Sequence, residues 1–113
     1  MRGNASAAPL GEFELLVLLS TLSLGEEAYP VSIAKDIEAR SGRKASRTAV
    51  LITLERLEDK GLLMSRYGDP TPVRGGRPKR YFRPKPQALR AVRESLDRIR
   101  TMTDGLESVL KLR

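Results

Sequence analysis

"SRTAVLITLERLEDKGLLMSRYGDPTPVRGGRPKRYF", residues 46–82, opens on a serine placed directly before an apolar-periodic run and closes on two aromatics behind a cluster of cations. A serine in that position can accept a hydrogen bond from the first-turn backbone, so Ser46 is the expected N-cap of a helix over about 47–60. Val50, Leu54 and Leu57 recur at spacings of four and three and define its inward face. Arg47, Thr48, Leu51 and Glu55 are left outward. Gly61 closes the helix. "LLMSRY" (62–67) and "KRYFRP" (79–84) read as strands, whereas "GDPTPVRGGRP" between them holds too many turn residues for regular structure. Two strands joined by a basic loop make a hairpin.

Upstream, "LGEFELLVLLSTLS" (10–23) is apolar on nearly all sides, as a largely buried helix would be. Phe13, Leu16, Val17 and Ser20 share one face. Leu15, Leu18, Leu19 and Leu22 cover much of the remaining surface, more than one small domain can bury, and Leu15, Leu19 and Leu22 are expected at a subunit contact. Pro30 suits the first turn of a second helix over about 30–41, with Val31, Ala34 and Ile37, joined by Ile33, on its inner face. Gly42 caps its end, and "SGRKAS" forms a turn carrying Arg43 and Lys44.

Downstream of "RPKPQ" the pattern is helical to the end. Leu89, Val92, Leu96, Ile99, Thr103, Leu106 and Leu110 alternate spacings of three and four, the rhythm of a coiled-coil seam. A helix of that length would be a rod of roughly 37 Å, longer than the domain's own core requires. A dimer seam is expected, with Gly105 as its weak point. The chain thus divides into an N-terminal lead-in (1–9), a compact domain (10–84) and a C-terminal dimerisation helix (86–113).

Composition restricts the function. The 113 residues include neither cysteine nor histidine, which removes disulfides, the commonest zinc ligands, the usual general base and the thiol nucleophile. No catalytic residue, metal site or cofactor is expected, and the protein reads as a non-enzyme of the reducing cytoplasm. The N-terminus has no signal-peptide or membrane-spanning pattern. Of the net charge of +7, all is concentrated in residues 66–90, where eight cations face the single acid Asp69; elsewhere 13 cations balance 13 acids. Charge gathered in one stretch points to a polyanionic partner.

Helix, helix, turn, helix, hairpin is the order of a winged helix-turn-helix, a mainly α fold with a small β-hairpin. The third helix would then enter the DNA major groove with Arg47 and Thr48 at its reading end, helped by Arg43, Lys44, Ser46 and Leu51. The wing would bring Arg74, Arg77, Lys79 and Arg80 to phosphates or the minor groove, with Gly75 and Gly76 allowing close approach. Of Tyr81 and Phe82, one should pack beneath the wing and the other stay partly exposed.

From Leu10 to Phe82 the chain resembles the PadR family of bacterial transcriptional regulators, through "LGEFELLVLL", "AYPVSIAKDIEARSG", "TLERLEDKGLL" and "GGRPKRYF". The resemblance implies a homodimeric winged-helix repressor of double-stranded operator DNA, often released by a small-molecule effector, whose identity no residue here names. Thr48 and Leu51 stand where the family commonly has glycine and tyrosine. Two other functions compete: an AT-hook-like minor-groove binder through 74–80, and a dimeric protein-interaction adaptor that uses the basic wing on an acidic partner.

Overall fold

The structure, a computed structural model, describes residues 9–69 and 77–112. Helix α1 (Glu12–Leu24) leads through a 3-10 turn (Gly25–Glu27) to α2 (Pro30–Ser41) and α3 (Arg47–Asp59). Strands β1 (Leu63–Tyr67) and β2 (Arg80–Pro84) follow, then α4 (Pro86–Thr103) and a single turn of helix, α5 (Glu107–Leu110). The expected lead-in falls outside the described residues except for Pro9.

Local chemistry sets the helix ends. The Gly11 N–H donates to Glu14 Oε1 at 3.0 Å to start α1. Pro30 occupies the first turn of α2, which stops where Gly42 turns left-handed at φ 77°. Ser46 caps α3 as its position promised: its Oγ accepts the Ala49 N–H at 3.0 Å.

The strands pair antiparallel, with Leu63 opposite Pro84 and Tyr67 opposite Arg80. The Phe82 N–H donates to the Ala28 carbonyl at 2.9 Å, tying the returning strand to the turn before α2. The hairpin is thereby fixed to the helical body as well as to itself.

Helix α1 lies at the centre and packs against α2, α3, α4 and β2. Val17, Leu18, Ile33, Val50, Leu54, Leu57 and Leu63 are wholly buried, and Phe82 fills the space under the wing while Tyr81 stays half-exposed. The inward face of α3 is the expected one. That of α2 is rotated: Pro30, Ile33 and Ile37 are buried, and Val31 and Ala34 lie at its margins. Pro30 itself enters the core, and positions three and seven residues later share its face. On α1 the buried set is Glu14, Leu15, Val17, Leu18, Ser20 and Thr21, with Phe13 and Leu16 only half-buried.

The C-terminal region differs from the expected unbroken helix. Gly105 adopts φ 87°, which stops α4 after Thr103 and separates it from α5. Helix α4 turns its small residues Ala88, Ala91 and Ser95, together with Val92, toward its own domain. Leu89, Leu96 and Ile99 stay 41%, 43% and 54% exposed, and Leu106 and Leu110 are also exposed. Two residues expected at the subunit contact, Leu15 and Val92, instead belong to the chain's own core, because α1 is enclosed by the other elements and α4 crosses it on that side.

Two acids brace the helices. Asp36 of α2 accepts from Ser20 Oγ at 2.7 Å and is held by Arg40 through both carboxylate oxygens, at 2.9 and 2.8 Å. The Arg40 hydrogen bonds hold its carboxyl below the ordinary range, against a smaller opposing effect of burial and with help from Ser20. Burial raises the Glu14 carboxyl, but the Lys60 ammonium at 2.8 Å and the Gly11 N–H together bring it below its usual value. A lowered folded pKa stabilises above the unfolded value, near 4, and that contribution disappears as pH falls through the folded value. Urea midpoints should therefore drop between pH 5 and pH 3. An Asp36→Asn protein should be weaker at pH 6 and lose less over the same interval.

Candidate nucleic-acid interface

The N-terminal half of α3 and the wing face each other across a groove of about 600 Å³. Arg47, Leu51 and Glu55 line it from α3; Tyr67, Arg77, Pro78, Lys79 and Arg80 line it from the hairpin, and Tyr29 and Val31 from the start of α2. Ser46 uses its hydroxyl on the helix cap, but the other first-turn N–H groups of α3 give this end of the groove a partial positive charge suited to phosphate.

The expected residues fall into distinct settings. Arg47 and Thr48 are exposed on the first turn of α3, Lys44 is exposed in the turn before it, and Leu51 is half-buried toward the wing. Arg43 donates to Glu12 at 3.1 Å and lies 4.8 Å from the centre of the Phe13 ring, so its guanidinium is steered across the start of α1. Arg77 is exposed; Lys79 is also exposed and sits 4.6 Å from the Tyr29 ring centre, a cation–π contact that places its ammonium on the groove wall. Arg74, Gly75 and Gly76 lie outside the described residues.

Arg80 is placed differently from its wing neighbours. Its guanidinium donates to Glu55 at 2.9 Å, to Glu58 at 2.8 Å and to Ser65 at 3.3 Å, and stacks 4.9 Å from the centre of Phe82. Burial would lower its pKa, yet the bond to Glu55 and the charge of Glu58 hold it above the ordinary arginine value. Two carboxylates already balance this cation. It joins the wing to the outer side of α3 and prevents Glu55 and Glu58 from presenting unpaired charge beside the groove.

Sequence periodicity did not reveal Ile52, Tyr29 or Tyr67 as parts of this surface. Ile52 is 51% exposed on α3 and Tyr67 is 69% exposed on β1. The available signal for Ile52 was its phase, opposite Val50, Leu54 and Leu57. The two tyrosines reach the groove only through tertiary packing.

Among the described residues no group of three or more potential metal-ligating side chains occurs, and no helix is long and apolar enough to cross a membrane. The arrangement is that of a winged helix-turn-helix protein: a capped third helix and a hairpin wing flank one groove with cations on both walls.

No family model and no curated protein matches the chain. Among solved structures it is similar to a PadR family transcriptional regulator from Eggerthella lenta DSM 2243, at 28% identity and a TM-score of 0.66, over 90% of this chain and 88% of that one. A PadR family transcription regulator from Clostridium difficile R20291 shares the fold at 20% identity and a TM-score of 0.65, over 85% and 97% of the two chains. A PadR-like transcription factor from Bacteroides fragilis does so at 17% identity and a TM-score of 0.67, over 86% and 88%. The PadR family resemblance carried by the sequence motifs is thus supported by the whole fold.

The Arg80 bracket has a direct test. Arg80→Met leaves Glu55 and Glu58 without their shared donor and should cost about 1–3 kcal/mol in urea unfolding. Arg77→Ala, at an exposed position, should stay within about 0.5 kcal/mol of the parent. Equal stability of the two variants would mean that Arg80 contributes no bracing.

Proposed function

We propose that the chain is a sequence-specific, double-stranded DNA-binding transcriptional regulator that acts as a homodimeric repressor. The observation that carries this reading is the juxtaposition of the α3 N-terminus with a wing presenting Arg77 and Lys79 across one groove. An α-helix fits the B-DNA major groove, and a wing at this distance from it meets the flanking backbone. Arg47, at the entry of α3, is placed to read base edges, and the wing cations to hold phosphates. Arg47, Arg77, Lys79 and Arg80 line the groove against the single acid Glu55, so the groove keeps a positive potential. PadR-family regulators of similar fold give the reading its biological class.

The dimer rests on the bare stripe of α4. Leu89, Leu96 and Ile99 are left about half exposed, and Leu22 of α1 is 37% exposed. A second copy would cover such a stripe and, with two-fold symmetry, would set two recognition helices against an inverted repeat. Charged residues at Leu96 and Ile99 should therefore give monomers in light scattering, with the fold retained because both positions are exposed. An unchanged dimer mass would place the contact elsewhere.

Affinity measured against salt separates the roles within the groove. Neutralising Arg77 or Lys79 should weaken binding to all duplexes alike and lower the salt slope by about 1 for each phosphate that the variant leaves unneutralised. Arg47→Ala should cost ~1–3 kcal/mol on the selected site and much less on random DNA. An Arg77→Ala protein that loses site preference at an unchanged slope would assign base reading to the wing.

A further inference from the structure

Helix α3 carries one large exposed apolar side chain among the described residues, Ile52, at 51% exposure. At 100° per residue it stands opposite the core-facing Val50, Leu54 and Leu57, directly one turn beyond Thr48. Leu51, half-buried, borders it on the wing side, where it lines the groove with Arg47. The Thr48 methyl, Leu51 and Ile52 thus make a small apolar patch at the middle of the outward face of α3. Leu51 also packs partly against the core, whereas Thr48 and Ile52 are left exposed.

Its surroundings select the occupant. Lys44 and Arg47 flank the patch at the start of α3, and Arg77 and Lys79 stand across the groove, so the patch sits on a surface suited to a polyanion. The floor of the B-DNA major groove offers one exposed apolar group, the 5-methyl of thymine. Cytosine, adenine and guanine present only donors and acceptors there, which Ile52 and Leu51 cannot satisfy.

We propose that Ile52, with Thr48 and Leu51, is a specificity-determining element that reads thymine 5-methyl groups in the major groove. This rests on the DNA-binding reading above and adds the base class that α3 selects. Each bound half-site then holds thymine opposite the second turn of α3, beside the position read by Arg47. Discrimination against cytosine follows from shape and desolvation, without a hydrogen bond.

The test uses the full-length protein and the duplex it selects from a random pool. Each thymine of that duplex is replaced in turn by deoxyuridine, which removes the methyl and leaves the base pairing unchanged. At one or two positions per half-site the parent protein should bind about fourfold more weakly, the value of one buried CH2-sized group. An Ile52→Ala protein, checked for an unchanged melting temperature, should bind the thymine duplex more weakly and lose its sensitivity to deoxyuridine at those positions. Ile52→Gln should do the same and gain no preference for thymine. If the parent protein prefers its selected site yet binds every deoxyuridine duplex equally well, the methyl reading is overturned and the DNA-binding reading stands. If Ile52→Ala retains the full deoxyuridine effect, the methyl is read by other residues and the proposal for Ile52 is overturned. A protein with no preference among duplexes overturns the regulator reading itself, and this inference with it.

Discussion

Helix α1 is the element against which α2, α3, α4 and the returning strand all pack. A chain of this size buries too little surface to support two independent cores, so one apolar helix serves every neighbour. That requirement explains its composition: Leu15, Val17 and Leu18 point in different directions and each is buried. It also explains Thr21, whose buried hydroxyl returns a hydrogen bond to the Val17 carbonyl at 2.7 Å and so enters the core satisfied. The position of α3, and with it the orientation of Arg47 and Thr48, is inherited from contact with this helix. The wing is fixed a step later, by the Phe82 ring in the core and the Phe82–Ala28 backbone bond.

Much of the architecture was legible because its signals are local. Ser46, Pro30, Gly42 and Gly61 mark element ends by backbone chemistry that does not depend on distant packing, and those ends fall within a residue or two of where the sequence places them. The phase of α2 was not local. Val31, Ala34 and Ile37 and the observed Pro30, Ile33 and Ile37 are nearly equal in apolar content, and only the burial of Pro30 decides between them. The three-four rhythm of leucines continues past Gly105, although the backbone at that glycine turns left-handed and ends the helix. Periodicity records which residues are apolar; it does not record whether the chain between them stays straight.

The candidate site was legible at its entrance and less so in its depth. Arg47, Thr48, Lys79 and Arg77 are exposed cations or polar groups at positions fixed by helix capping and hairpin register. Arg80 lies in the same basic run, and nothing in its neighbours in sequence separates it from Lys79. Alternation along β2 makes the difference: Arg80 shares a face with Phe82 and turns toward Glu55 and Glu58, which lie 25 and 22 residues earlier in the chain. Ile52 is hard to read from sequence for a related reason. An apolar residue opposite an apolar stripe is informative only after the stripe has been shown to be the buried one.

The same pairings change what the net charge of +7 means. Of the eight cations in residues 66–90, Arg80 is matched by two glutamates, Arg66 by Glu26 at 3.2 Å and Arg90 by Glu94 at 3.1 Å. Arg66 and Arg83 also line the opposite side of the hairpin, away from α3. The exposed Arg66 and Arg90 pairs open readily, yet a cation must first lose its carboxylate before it gains a phosphate, and the exchange is close to neutral. Among the described residues, Arg77 and Lys79 are left as the wing cations that face the groove without an acid partner. Counterion release is set by such contacts rather than by the formal charge of the chain. Under the proposed function, the salt dependence of DNA binding should accordingly be below what eight cations would give, with the surface of α3 contributing alongside the wing.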